Sequence, residues 1–191
     1  MTEQLSQHPD EESRQEREEL ELKFERECLV DELAQFISNL RTGEDHRMKL
    51  SQEQAIERIE YYLKYPNAIE LILREGGELI GCAFAYEQSK EELDKEVPGV
   101  NLFSRDGERI FTVREVDVKA QRRGRGYGRR IMEEIMREAR VKGATKLLLS
   151  PFPYEDNPAY KLYKRLGFKE VSPDQDPQNF YMSYEYEKVL E

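Results

Sequence analysis

The sequence predicts an α/β (α+β) fold in which helices and strands interleave around a mixed sheet. Three observations carry this. Apolar residues switch repeatedly between helical spacing and strict alternation. Short apolar runs are separated by turn glycines. Helical segments open at capping residues and close at glycine or proline. Read along the chain, the elements fall in the order β-α-α-β-β-β-α-β-α-β-β.

Each element has its own justification. Leu20, Leu22 and Phe24 alternate and predict a short strand. In CLVDELAQFISNL, Leu29, Leu33, Phe36, Ile37 and Leu40 recur at helical spacing, and Thr42-Gly43 ends the helix. Ser51 with Gln54 three residues on forms a capping box for a second helix, which carries Ile56, Ile59 and Leu63 on one stripe and stops at Pro66-Asn67. AIELILRE and ELIGCAFAYEQ flank Gly76-Gly77, a tight hairpin. The stretch from Ser89 to Gly107, with Pro98-Gly99, reads as charged and irregular. RIFTVREVDVKA is the next strand, and the odd spacing from Val113 to Val116 predicts a bulge.

A helix follows the glycine loop, with Ile131, Met132, Ile135, Met136 and Ala139 as its apolar stripe and Gly143 closing it. KLLLS is a short buried strand ended by Pro151. PAYKLYKRLG is a helix with Pro158 in its first turn and Gly167 past its end. FKEVS and NFYMSYEYEK are the last strands, with Phe180, Met182, Tyr184 and Tyr186 on one face.

Composition bounds the function. The 191 residues suit one domain with length left for a tail. The first 18 residues hold one leucine and no aromatic, so residues 1–18 are read as an acidic, disordered or frayed-helical tail, with a partner-binding arm as the alternative. Residues 19–191 form the domain. No apolar run is long enough to span a membrane, and the start lacks the pattern of a secretory signal. The only cysteines, Cys28 and Cys82, define neither a disulfide framework nor a zinc site. His8 and His46 are far apart, so no metal site is expected. A cytoplasmic location is the plain reading.

One stretch stands against the background. The chain carries 40 acidic and 30 basic residues, yet QRRGRGYGRR packs five arginines and three glycines into residues 121–130. A strand feeds this loop and a helix leaves it. At such a junction several backbone N–H groups lack helical partners and the helix start is positive. Glycine lets those amides approach a ligand closely, and the arrangement binds phosphate. Gly124, Gly126 and Gly128 do not fit the dinucleotide fingerprint, because Arg129 stands where a glycine is needed. The Walker A pattern fails as well, for want of G-K-[ST]. The arginines are either solvated or in part phosphate contacts, and their field would draw an anionic cofactor.

The segment VDVKAQRRGRGYGRRIM resembles motif A of the GNAT acyl-CoA N-acyltransferase superfamily, [QR]-x-x-G-x-[GA]. The pattern matches twice, from Gln121 to Gly126 and from Arg123 to Gly128, and the second frame leads directly into the helix as in the family. NPAYKLYKRLGF, from Asn157 to Phe168, resembles the family's asparagine…alanine…LY-x-x-LGF segment. The resemblance covers roughly Leu20 to Glu187. It implies a mostly antiparallel sheet of six or seven strands, about four helices, and two central strands that splay apart.

It also implies acetyl-CoA or another acyl-CoA as co-substrate. The pyrophosphate would rest on the amides of Gly124, Arg125, Gly126, Tyr127, Gly128 and Arg129, with Arg123 opening the motif. The pantetheine would follow Val116, Asp117 and Val118. Asn157 would contact the cofactor, with Asp156 standing where many members carry the asparagine.

The implied chemistry is attack of a neutral amine on the thioester carbonyl, with a base or water relay taking the proton. The Val118 N–H would stabilise the oxyanion. Tyr163 matches the family's proton donor to the leaving thiolate; its bland alternative is packing, which is also the reading for Tyr160. Glu115 matches an acidic position that some members use as base, with a water relay as its rival and Asp117 as a lesser candidate. Other members use a glutamate on the strand after motif A, but Lys146 to Ser150 carries no acid.

The implied activity is N-acetylation of a small-molecule or protein amine by a monomer or homodimer, without nucleic acid or membrane partners. The acidic balance favours cationic acceptors, and the Ser89–Gly107 stretch would help shape their site. A non-catalytic acyl-CoA-binding module is the alternative. RNA binding by an RGG-like patch is disfavoured by the pI near 5.0.

Overall fold

A computed structural model of the protein describes residues 21–23, 29–40, 50–65, 67–103, 106–151, 157–171 and 180–187. The acidic tail expected over residues 1–18 lies outside them, as do Thr42-Gly43. The described residues form seven strands and five α-helices: β1 (Glu21–Lys23), α1 (Val30–Leu40), α2 (Gln52–Leu63), β2 (Ile69–Glu75), β3 (Glu78–Gln88), α3 (Lys90–Glu96), β4 (Ile110–Val118), α4 (Tyr127–Val141), β5 (Lys146–Leu149), α5 (Pro158–Arg165), β6 (Lys169–Glu170) and β7 (Met182–Glu185). A 3-10 turn, Ala120–Arg122, links β4 to the glycine loop.

The strands make one sheet in the order β1-β2-β3-β4-β5-β7-β6. Only β4 and β5 run parallel; every other pair is antiparallel. Helices α4 and α5 cover one face. Ile131, Met132, Ile135 and Ala139 of α4 pack there on Leu71, Ala83, Phe111 and Leu147. Each of the larger side chains among them contributes roughly 1.5–3 kcal/mol. Helices α1 and α2 cover the other face, where Leu33, Ile37 and Ile59 meet Ile72, Cys82 and Phe84. On that same face α3 shields Ile110 and Leu148 with Leu93.

Local chemistry explains the joints. Gly76 and Gly77 both have positive φ, 57° and 83°, which the two central positions of a primed hairpin turn require. The bulge expected on β4 is present. Phe84 pairs with Glu115 and Ala85 with Val113, so Arg114 is the extra residue. Phe180, Met182, Tyr184 and Tyr186 share one face against α4 and α5, as their alternation requires.

The Ser89–Gly107 stretch is less irregular than its composition suggests, since it begins with α3. The Ser89 hydroxyl accepts from the Glu92 N–H (3.2 Å), and the Glu92 carboxylate accepts from the Ser89 N–H (2.8 Å). That capping box was present in the sequence as S-x-x-E. Its helix is short and mostly charged, so periodicity missed it.

The parallel ladder between β4 and β5 is short. It joins Ile110–Val113 to Lys146–Leu149 and stops, because Pro151 follows β5 and can donate no ladder bond. β4 runs on for five residues, Arg114 to Val118. Beyond Val113 the two central strands are therefore splayed, and the functional residues gather there.

Candidate active site at the splayed strands

The glycine loop opens a cavity of about 760 Å³ on the α4–α5 side of the splay. Gly124 and Gly126 have φ of 77° and 85°, and a Cβ built on either would meet nothing within 4 Å. Their lack of a side chain leaves that space open. Gly126 is the N-cap of α4 and provides no side-chain cap, and the first turn of α4 holds no acid. The first amides of this 15-residue helix thus lack the usual capping oxygen, at its positive end.

The rest of the lining is mainly apolar. Val116 and Val118 come from β4, Ala159 and Leu162 from one face of α5, and Leu166 from its C-cap. Sequence reasoning did not single out Ala159, Leu162 and Leu166, although their helical spacing was visible in PAYKLYKRLG. Arg165, on the same wall, was missed too.

Of the residues expected to hold a cofactor, Val116, Val118, Arg123, Gly124, Gly126, Tyr127, Gly128, Arg129 and Asn157 all line this cavity. Asp117 and Arg125 are not on its wall. Strand alternation turns Asp117 away from Val116 and Val118, and Arg125 is exposed between the two left-handed glycines.

The arginines divide by task. Arg122 pairs with Glu75 (2.8 Å) and Glu78 (3.3 Å) on the β2–β3 hairpin. Arg123 donates its Nε to the Val118 carbonyl (3.0 Å), and Arg129 pairs with Glu133 one turn along α4. Tyr127 is buried and donates its hydroxyl to Glu75 (2.5 Å). Arg122, Arg123 and Tyr127 fasten the loop in place. Asn157 caps α5, its Oδ1 accepting from the Ala159 N–H (2.9 Å).

Tyr163 lies on the wall of the cavity and is 8% exposed. Burial raises its pKa, with the Asp117 carboxylate as the second cause, so the phenol keeps its proton at neutral pH. Its hydroxyl makes no hydrogen bond among the described residues, whereas that of Tyr160 donates to Glu170. The edge of β4 contributes one further donor. The Lys119 N–H donates to the Ile80 carbonyl (2.8 Å), so the Val118 carbonyl in the same peptide unit faces the other way, where Arg123 takes it. In an extended strand the Val118 N–H shares that direction and faces the splay.

A second cavity, of about 730 Å³, opens on the opposite face against α2. The bulge turns both Arg114 and Glu115 into it. Glu115 is 7% exposed and accepts from Arg58 Nη1 (2.9 Å) and the Tyr62 hydroxyl (3.1 Å). Burial, then the Glu115 charge, raises the pKa of Tyr62, so it remains a donor. Tyr61 and Tyr86 add aromatic surface, and Gln54, Glu57 and Leu50 complete the lining. None of these partners was legible in the sequence, because they come from α2, β3 and β4 and meet only in the fold. Glu115 and its neighbour Val116 thus line different cavities.

The sequence profile of the Acetyltransferase (GNAT) family matches residues 34–168, well over half of the chain. The chain belongs to the GNAT acetyltransferase family. Solved GNAT structures share its fold. A GNAT-family acetyltransferase from Staphylococcus aureus superposes with a TM-score of 0.64 at 12% identity, covering 87% of this chain and 98% of that one. A ribosomal-protein-alanine N-acetyltransferase from Brucella melitensis gives 0.63 at 15% identity, covering 87% and 100%. A Brucella melitensis GNAT acetyltransferase in complex with acetyl-CoA gives 0.58 at 16% identity, covering 88% and 89%. A comparison with curated proteins found no match in sequence. The family uses acyl-CoA, and the larger cavity fits such a molecule: open glycine positions and uncapped amides suit a pyrophosphate, and the β4 edge beside an apolar wall suits the flexible amide-bearing arm that follows it.

Proposed function

We propose that this chain is an N-acetyltransferase that moves an acetyl group from acetyl-CoA to a primary amine. The observation that carries the reading is the pair Glu115 and Val116, consecutive residues at the splayed part of β4 that line the two cavities on opposite faces. Donor and acceptor would each take one cavity and meet at the strand edge between them. Two structural relatives, one in complex with acetyl-CoA and one a ribosomal-protein-alanine N-acetyltransferase, support the same direction.

Acetyl-CoA supplies an acyl group activated as a thioester. The amides from Gly124 to Arg129 would hold its pyrophosphate. The Val118 N–H, turned toward the splay, donates to negative charge that develops at the carbonyl oxygen. Glu115, directly or through water, accepts the proton that the amine must lose. The Tyr163 hydroxyl, kept protonated by burial, returns a proton to the departing sulfur.

The test is acetyl transfer from acetyl-CoA to a panel of primary amines, followed by release of free thiol. Turnover with at least one amine supports the reading. CoA binding without turnover on any amine would leave the chain as a non-catalytic acyl-CoA-binding module.

A further inference from the structure

The cavity against α2 has a charge balance that selects among amines. Both of its guanidiniums are neutralised from within the protein. Arg114 donates through Nη1 and Nη2 to the two carboxylate oxygens of Glu96 (both 2.5 Å), and through Nε to the Tyr86 hydroxyl (2.8 Å). Arg58 is paired with Glu115 (2.9 Å). An anionic group entering this cavity would find neither cation free.

Glu57 is different. It lines the same cavity, is exposed, and makes no ion pair or hydrogen bond among the described residues. The balance therefore tips negative by one carboxylate. Glu57 precedes Tyr61 by four residues on α2, so the two share a helical face at the cavity mouth. The rings of Tyr61, Tyr62 and Tyr86 pack edge-on or tilted against one another, 5.7–6.3 Å between centroids. Aromatic faces attract cations, and the Arg114 guanidinium already lies 5.2 Å from the Tyr86 centroid. α2 itself carries three acids, Glu53, Glu57 and Glu60, against one base, Arg58, a field that draws cations to this side.

The nitrogen that attacks must be neutral, so a monoamine in its reacting form would leave Glu57 unanswered. We infer that the acceptor is a small aliphatic amine bearing a second positive charge, and that Glu57 is the residue that selects it. The reacting nitrogen lies toward Glu115, the methylenes cross the tyrosine rings, and the second ammonium pairs with Glu57. A cavity of about 730 Å³ accommodates such a chain. This inference rests on the N-acetyltransferase reading above.

The experiment uses the full chain with propylamine, diaminobutane and spermidine, in two readouts. Steady-state transfer from acetyl-CoA should give lower KM for the two polyamines than for propylamine. Glu57→Gln should raise the polyamine KM roughly fivefold with kcat unchanged, the size of a solvent-accessible ion pair, and leave propylamine as in the wild type. Glu57→Asp should recover most of the difference. Equal use of propylamine, an equal shift for all three amines, or no shift at all overturns the inference. So does preference for an amine that carries a carboxylate. In the second readout spermidine is titrated calorimetrically into the CoA-loaded protein. If no amine is acetylated, the N-acetyltransferase reading fails, and the titration decides the inference alone. Spermidine binding weakened by Glu57→Gln retains the dication site; absent or unchanged binding removes it.

Discussion

The two cavities beside β4 are nearly equal in volume, about 760 and 730 Å³, and opposite in construction. The first is built from backbone amides, glycines and aliphatic side chains, with arginines at its rim and no acid in its lining. The second is built from paired charges and tyrosines. The difference matches what each would hold. A phosphate arm is common to every acyl-CoA and can be held by main-chain groups that any sequence supplies where glycine permits. An acceptor is particular to one enzyme, so its site must be written in side chains. Substitutions that strike one side alone, or both, test this division.

The largest effect should come from Tyr163→Phe. Loss of a positioned proton donor lowers kcat by about 100-fold, while the KM for acetyl-CoA stays near the wild-type value because the ring still packs. Unchanged kcat would reduce Tyr163 to a wall of the first cavity. Glu115→Gln strikes the second cavity alone. It should lower kcat about tenfold, leave CoA affinity intact, and shift the pH profile of kcat. An unchanged profile would favour a water relay without Glu115.

Gly81→Ala should disturb both sides. Its Cβ would stand 2.9 Å from the Asp117 carbonyl and 2.9 Å from Ile131 Cδ1, between β4 and α4. The backbone must shift, at a cost of about 1–3 kcal/mol in thermal or urea unfolding. Separation of the two cavities at β4 predicts that the KM for donor and acceptor both rise. The smallest effect should be that of Arg129→Ala, about twofold or less in CoA affinity, since its charge is already matched by Glu133 and is solvent-screened. A larger loss would move weight from the amides to the arginines.

The same contrast explains what the sequence disclosed. The first cavity was legible because its parts are local. The loop, the helix it opens and the LY-x-x-LGF segment are contiguous stretches whose geometry follows from glycine and helix chemistry. The β4 bulge was legible too, from the spacing of Val113 and Val116. The second cavity was not. Arg58, Tyr62 and Glu115 meet across more than fifty residues of chain, and nothing in the local pattern of α2 marks Tyr62 as a partner of Glu115. α3 was missed for another reason. Its capping box was written in the sequence, but a seven-residue charged helix gives periodicity too little to register. Their number did not disclose how the loop arginines are used within the protein, where Arg122, Arg123 and Arg129 each bond to one of its own groups.

The central claim is that the amides between Gly124 and Arg129 cradle the cofactor, and calorimetric titration with CoA tests it most directly. Three proteins are compared: the wild type, Gly126→Ala and Gly126→Glu. Both variants carry the strain of a side chain at φ 85°, about 1–2 kcal/mol. Only glutamate fills the cradle and brings a negative charge to it. The wild type should bind CoA, Gly126→Ala should bind it with modest loss, and Gly126→Glu should lose about 100-fold or more in affinity, near 2.7 kcal/mol. Equal affinity for CoA in the wild type and Gly126→Glu would contradict the account.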